Sequence, residues 1–255
     1  MAGDVKLDLE LIPESTKEEL LNPSANLFGQ ASRGILHFFL DPLVKFNIVR
    51  NQDLEDFKNK VVTKNSNIPT EHRDDSKANL AYKAIEDAKF QLGYKELQNM
   101  FSNLIASTLD SRKNDVVEPA FSSILKDLSV EDARLLLHFI GNNVLPLVNI
   151  RFEDDNSSGI DLVEHILLTN DEILHFPLSI ASLERLGIIK IKETKLLSKK
   201  YFDNYDSFKS SSLYKINENK LPVHTEQFTL NKIVVKEMHA ALTSLGEKFL
   251  KVVTE

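Results

Sequence analysis

The sequence predicts a mainly α fold with a small β component: an N-terminal helical bundle followed by a C-terminal winged-helix-like α+β domain with an enlarged wing. Three observations predict it. Apolar residues recur at helical spacing through the first half of the chain. After Gly141 a stretch of strand-like alternation begins. The order that follows, helices and short strands with one long polar arm before the last strand and helix, is that of a winged helix-turn-helix. The boundary falls between a bundle over residues 1–128, of which 1–22 form a candidate flexible lead, and the second domain over 129–255.

Each element has a local reason. Asn22-Pro23-Ser24 opens a helix with Ser24 as N-cap, and Pro42 ends or kinks it because its ring cannot donate to the ladder. Asp53 caps a short amphipathic helix carrying Leu54, Phe57 and Val61. Residues 64–77 are polar and hold a proline, which marks a loop. Leu80, Ala84, Ile85, Ala88 and Leu92 then share one helical face. Leu97, Phe101, Leu104, Ile105 and Thr108 share another, with Gly93 between the two helices. Pro119 starts a helix carrying Phe121, Ile124, Leu125 and Leu128. Ser129 with Asp132 approximates a capping box before the next.

In the second half, residues 147–152 alternate as a strand and 162–168 are expected to be helical. A short helix starts near Ser179 and ends at Gly187, a strand covers 188–191, and residues 192–220 form the polar wing. Residues 232–243 are strand-like, and 244–253 close as an amphipathic helix.

Composition excludes more than it suggests. The chain has 255 residues, 31 basic and 38 acidic, with a net charge of −7, 42% hydrophobic residues and no Cys. Such a composition is ordinary for a globular protein. Without Cys there are no disulfides, thiolate nucleophiles or Cys-ligated zinc sites, and a reducing cytoplasm is the expected location. The N-terminus lacks the basic and apolar regions of a signal peptide. Residues 34–49 are the most apolar stretch, but Asp41, Pro42 and Lys45 make them a poor membrane span. They are expected as a buried bundle helix or, alternatively, as an element inserting into a membrane interface through Phe38, Phe39 and Phe46.

The search for chemistry is nearly empty. Phosphate-binding glycine loops, zinc-binding helical His pairs and the nucleophile-elbow pattern are all missing from the sequence. No catalytic, cofactor-binding or metal-binding residue is expected. Asp154, Asn156, Ser158 and Gly159 match the start of an EF-hand loop, but His165 stands where the bidentate Glu belongs. His138 is expected as a core histidine. Glu96, Asn103 and Asp110, spaced by seven, form a polar stripe along one helix. It is expected as a solvated face or as a polar contact to the second domain or a ligand. The segment 188–215 has seven Lys against Glu193, Asp203 and Asp206, a local charge of +4, with aromatic residues interleaved. Lys199, Lys200, Tyr201, Phe202, Tyr205 and Phe208 are its candidate interaction residues. They suit a docking arm for a protein partner, or a grip on phosphates and bases.

Residues 96–133 carry a longer pattern: Glu96, Leu97, Gln98, Phe101, Asn103, Leu104, Ile105 and Ala106, then Asp110, Pro119, Phe121, Ile124, Leu125, Leu128, Ser129, Asp132 and Ala133. This resembles the abortive infection alpha family, bacterial proteins linked to phage resistance. Residues 183–189 and 242–249 also look like the family's C-terminal part. Glu118 departs from the pattern, where the family more often carries His. If that His mattered to activity, this protein would lack it. The resemblance implies a role in phage defence and brings no established catalytic group.

The expectation is a cytoplasmic, non-enzymatic phage-defence protein, without cofactor, acting through a protein partner or self-association. The alternatives are a nucleic-acid binder using 188–215 and a membrane-active effector using 34–49. An enzyme is the weakest reading, with only the polar stripe to support it.

Overall fold

A computed structural model describes residues 50–169, 172–224 and 228–255. The helix expected between Ser24 and Pro42, and the apolar segment 34–49, lie outside the described residues. The rest divides into two compact units. One comprises the described residues up to Asp127 with Lys251–Glu255, and the other is Leu128–Leu250.

The first unit is built on α1 (Asn51–Ser66), α2 (Ala78–Asp87), α3 (Lys95–Thr108) and α4 (Phe121–Asp127). The apolar spacing that predicts these helices also points their faces inward. Leu54, Phe57 and Val61 of α1, Ala81, Ala84 and Ile85 of α2, and Leu97, Phe101, Leu104 and Ile105 of α3 are all buried. Helix α3 packs against each of the other three. Helix α1 begins before Asp53, which sits in its first turn and pairs with Arg50 at 2.8 Å. Its end at Ser66 runs three residues into the expected loop.

The second unit corrects the predicted fold class. It holds α5 (Val130–Leu137), β1 (Val144–Glu153), β2 (Gly159–Leu168), β3 (Ile173–His175), α6 (Pro177–Arg185), β4 (Ile189–Lys192), α7 (Lys199–Phe208), α8 (Ser212–Glu218), β5 (Val223–His224), β6 (Thr229–Leu230), β7 (Lys232–Leu242) and the start of α9 (Ser244–Thr254). Five strands form one antiparallel sheet in the order β3-β2-β1-β7-β4, and β5 and β6 form a small second sheet. The protein is therefore α+β, with nine α-helices among the described residues and a large sheet as the core of its second unit. It is not a mainly α fold with a small β component. The expected winged helix does not appear, because the strands form a broad sheet rather than a two-stranded wing.

Two local misreadings explain the difference. Residues 162–168, expected as helix, are strand. Phe152, Ile150 and Val148 of β1 pair with Ile160, Val163 and Ile166 of β2, and the register shifts twice between them. Each shift puts three residues of β2 against two of β1, so one sheet face is spaced by three in sequence, close to a helical period. His165 takes φ 57° at the first bulge, and the buried Asn149 Oδ1 accepts its N–H at 2.8 Å.

The expected polar wing at 192–220 contains α7 and α8, which cover the sheet. Tyr205 and Phe208 join Val148, Ile150, Phe152, Ile166 and Leu168 in one apolar cluster. Fully burying such side chains contributes about 1.5–3 kcal/mol each, enough to fold a Lys-rich segment onto the sheet. Tyr205 Oη donates to the Met238 carbonyl at 2.6 Å, so its one polar atom is satisfied.

Candidate functional site

The polar stripe begins on α3. Glu96 is half-buried in the first turn, whereas Asn103 is 7% exposed and Asp110, just beyond the helix, is 4% exposed. Asn103 and Asp110 share a pocket of about 250 Å³ with Lys64, Asn67, Ser107 and Lys113, which Glu96 does not line. The stripe is thus no continuous solvated face, and two of its three members come together.

The geometry explains why they are polar. An α-helix leaves its last four carbonyls without internal partners. Asn103 Nδ2 donates to the Val253 carbonyl at 2.8 Å, and Ser107 Oγ donates to the Val252 carbonyl at 3.3 Å. The two donors are four residues apart, hence on one face of α3. They serve consecutive carbonyls at the end of α9. Lys113 Nζ donates to Ser107 Oγ at 3.3 Å, placing a cation where a helix C-terminus favours one. Burial pushes the Lys113 pKa down, opposed by the charges of Glu255 and Asp110. A Ser–Lys pair acts as nucleophile and base only when the hydroxyl gives its proton toward the amine. Here the hydroxyl hydrogen goes to a carbonyl and the ammonium is itself the donor.

Asp110 is equally occupied. It accepts from Arg112 Nε at 2.8 Å and from the Arg112 backbone N–H at 3.1 Å, and Arg112 Nη2 lies 2.5 Å from its second oxygen. The Arg112 hydrogen bonds hold its carboxyl below the usual range, against the opposing effect of burial.

Other residues of the 96–133 pattern do similar work. Gln98 donates to the Asp53 and Leu92 carbonyls and accepts from Lys60 Nζ at 2.8 Å. Ser129 and Asp132 form the expected capping box, with bonds of 3.0 and 2.9 Å, and Asp132 also accepts from Ser182 Oγ at 3.1 Å.

The candidate interaction residues of the arm separate. Lys199, Lys200 and Phe202 lie in α7, and Tyr201 is half-buried against the apolar cluster. Tyr205 and Phe208 are 1% and 0% exposed. As core side chains, these last two cannot stack on bases or anchor a partner.

At the EF-hand-like turn, Asp154 Oδ1 instead accepts the N–H groups of Asn156 and Ser158 at 2.9 and 2.8 Å. His138 is half-buried at the end of α5. Among the described residues no group of three or more His, Asp or Glu could hold a metal, and no helix is long and apolar enough to cross a membrane.

A second concave site escaped the sequence reading. Asp132, His175, Phe176, Pro177, Leu178 and Ser179 line an open groove of about 510 Å³. Helix α6 starts there at Pro177, two residues before the expected Ser179. Leu178 is 85% exposed. A proline preceded by Phe, without the usual Ser, Thr, Asp or Asn cap, was the only signal for this helix end.

These observations define a class of protein: an α+β protein whose motif side chains staple the fold together. Residues 49–253 match the family described as abortive infection alpha, and the chain belongs to that family. Membership suggests an abortive-infection-type function. Among solved structures, an uncharacterized protein from the hydrocarbon-degrading marine bacterium Alcanivorax borkumensis SK2 is similar at 16% identity and a TM-score of 0.34. The match covers 57% of this chain and 96% of that one. No curated protein matches the chain.

Proposed function

We propose that the protein is a non-enzymatic member of its family that contributes to phage defence by binding another protein at the groove beside α6. The observation that carries this reading is Leu178, 85% exposed over a groove lined by Phe176 and Pro177. A large apolar side chain left in water beside such a groove gains free energy when a partner covers it. The polar motif residues support the same reading from the other side. Asn103, Ser107, Asp110 and Gln98 are engaged in bonds that hold the fold.

Phage challenge tests it. Cells expressing the wild type should resist infection, and cells expressing Leu178→Asp at equal soluble level should lose that resistance. Undiminished protection by Leu178→Asp would count against the reading.

A further inference from the structure

We propose that Lys113 is a reactive amine that captures a small carbonyl compound carrying a carboxylate, holding it as a protonated imine. The site lies in the first unit, and the inference does not rest on the protein-binding reading of the groove beside α6.

The surroundings of Lys113 destabilise its charged form. An ammonium needs an acceptor for each of its N–H groups. Lys113 is half-buried, and its Nζ makes one hydrogen bond among the described residues, to Ser107 Oγ at 3.3 Å, longer than the usual N–H···O range. Asp110, the buried carboxylate of the pocket, is taken by Arg112, and Lys113 forms no ion pair among the described residues. Other cations crowd it. Arg112 adjoins it in sequence, Lys251 comes from the last turn of α9, and Lys64 lines the same pocket from the last turn of α1. Burial lowers the Lys113 pKa; the charges of Glu255 and Asp110 oppose this, and those of Arg112 and Lys251 add to it. Desolvation and neighbouring cations are the two conditions that turn a lysine into a nucleophile.

The amine also has room for a ligand. It opens on the pocket of about 250 Å³, enough for a carbonyl compound of a few heavy atoms. Lys64 and Arg112 line that pocket and supply positive charge for the carboxylate.

The chemistry balances without an oxidant or reductant. Lys113 gives one ammonium proton to water, and its lone pair attacks the carbonyl carbon. The C–N bond forms as the carbonyl π pair moves to oxygen, which takes a proton from the nitrogen. The resulting hydroxyl is protonated by the proton first released and leaves as water, while the nitrogen lone pair completes the C=N bond. Ammonium and carbonyl compound thus give protonated imine and water, with the charge conserved. The product suits the pocket, because it keeps a positive charge beside the C-terminal end of α9 and one N–H for Ser107. The bonds from Asn103 and Ser107 to the α9 carbonyls stay as they are.

The test treats the full chain near neutral pH with glyoxylate and cyanoborohydride, which reduces any imine to a stable secondary amine, and locates the adducts by peptide mass spectrometry. Lys113 should be labelled first among the lysines, and the urea-unfolded chain should lose that preference. This comparison of folded and unfolded wild type needs no variant, so misfolding cannot imitate it. Lys113→Arg keeps a cation at the helix end and should lose the adduct with an unchanged urea midpoint. Lys64→Gln should slow labelling of Lys113 by glyoxylate but not by propanal, which has no carboxylate. Labelling spread evenly over the exposed lysines of the folded chain, or no faster at Lys113 than after unfolding, would overturn the proposal. Selection of Lys113 by propanal as strong as by glyoxylate would overturn the assignment of an anionic ligand.

Discussion

At the end of α9 the carbonyls of Val252 and Val253 receive hydrogens from Ser107 and Asn103, whereas at the start of α6 the N–H groups of Leu178 and Ser179 find no acceptor among the described residues. Both helix ends present unpaired backbone groups, as every α-helix must. The first lies in a polar pocket whose side chains match those groups, with Lys113 adding a cation on the favourable side. The second opens on a mostly apolar groove beside the exposed Leu178. The difference teaches where function should be sought. A satisfied polar pocket is a fastening, and the exposed Leu178 beside α6 is where the proposed partner contact is to be tested.

Three substitutions test that contrast. Asn103→Ala strips the Val253 carbonyl of its donor in a buried place and should cost about 1–3 kcal/mol of stability. Urea unfolding measures it, and an unchanged midpoint would show that the pocket is not a fastening. Asp110→Asn should cost about 1–2 kcal/mol near neutral pH, through weaker bonds to Arg112. Because the folded pKa of Asp110 is depressed, the carboxylate's contribution is present above the unfolded carboxylate range. It is lost as pH falls through the folded value. The gap between wild type and Asp110→Asn should therefore narrow as the pH falls below the ordinary carboxylate range, and a constant gap across pH would exclude the ion pair as its cause. Ser179→Ala removes a hydroxyl with no hydrogen-bond partner among the described residues and should change stability by no more than about 0.5 kcal/mol. A large loss would mean that Ser179 is a fastening too.

Much of the fold was legible in the sequence where one rule acted alone. The helices of the first unit follow the spacing of Leu54, Phe57 and Val61, and of Leu97, Phe101 and Leu104, because one stripe per helix meets one core. The capping box at Ser129 and Asp132 is local chemistry and was readable as such. Strand β2 was not, because its two bulges space the residues that pair with Val148, Ile150 and Phe152 of β1 by three instead of two. The segment 192–220 was read as an exposed arm from its Lys content, and only the sheet beneath it turns Tyr205 and Phe208 inward. In the candidate site, Asn103 and Asp110 stood out by spacing. Ser107 and Lys113 did not, since their meaning depends on carbonyls some 140 residues further along the chain.

By itself the sequence determined the helical first unit, the scarcity of catalytic and cofactor motifs, and the resemblance to the abortive infection alpha family. These depend on local periodicity, capping and residue identity, which need no partner from elsewhere in the chain. Only the tertiary structure decided that the second unit is built on a five-stranded sheet, that Asn103 of the polar stripe fastens a helix end together with Ser107, and that Leu178 at the start of α6 is exposed. Strand registers and the supply of hydrogen-bond partners are long-range properties, set by which distant groups arrive at the same place.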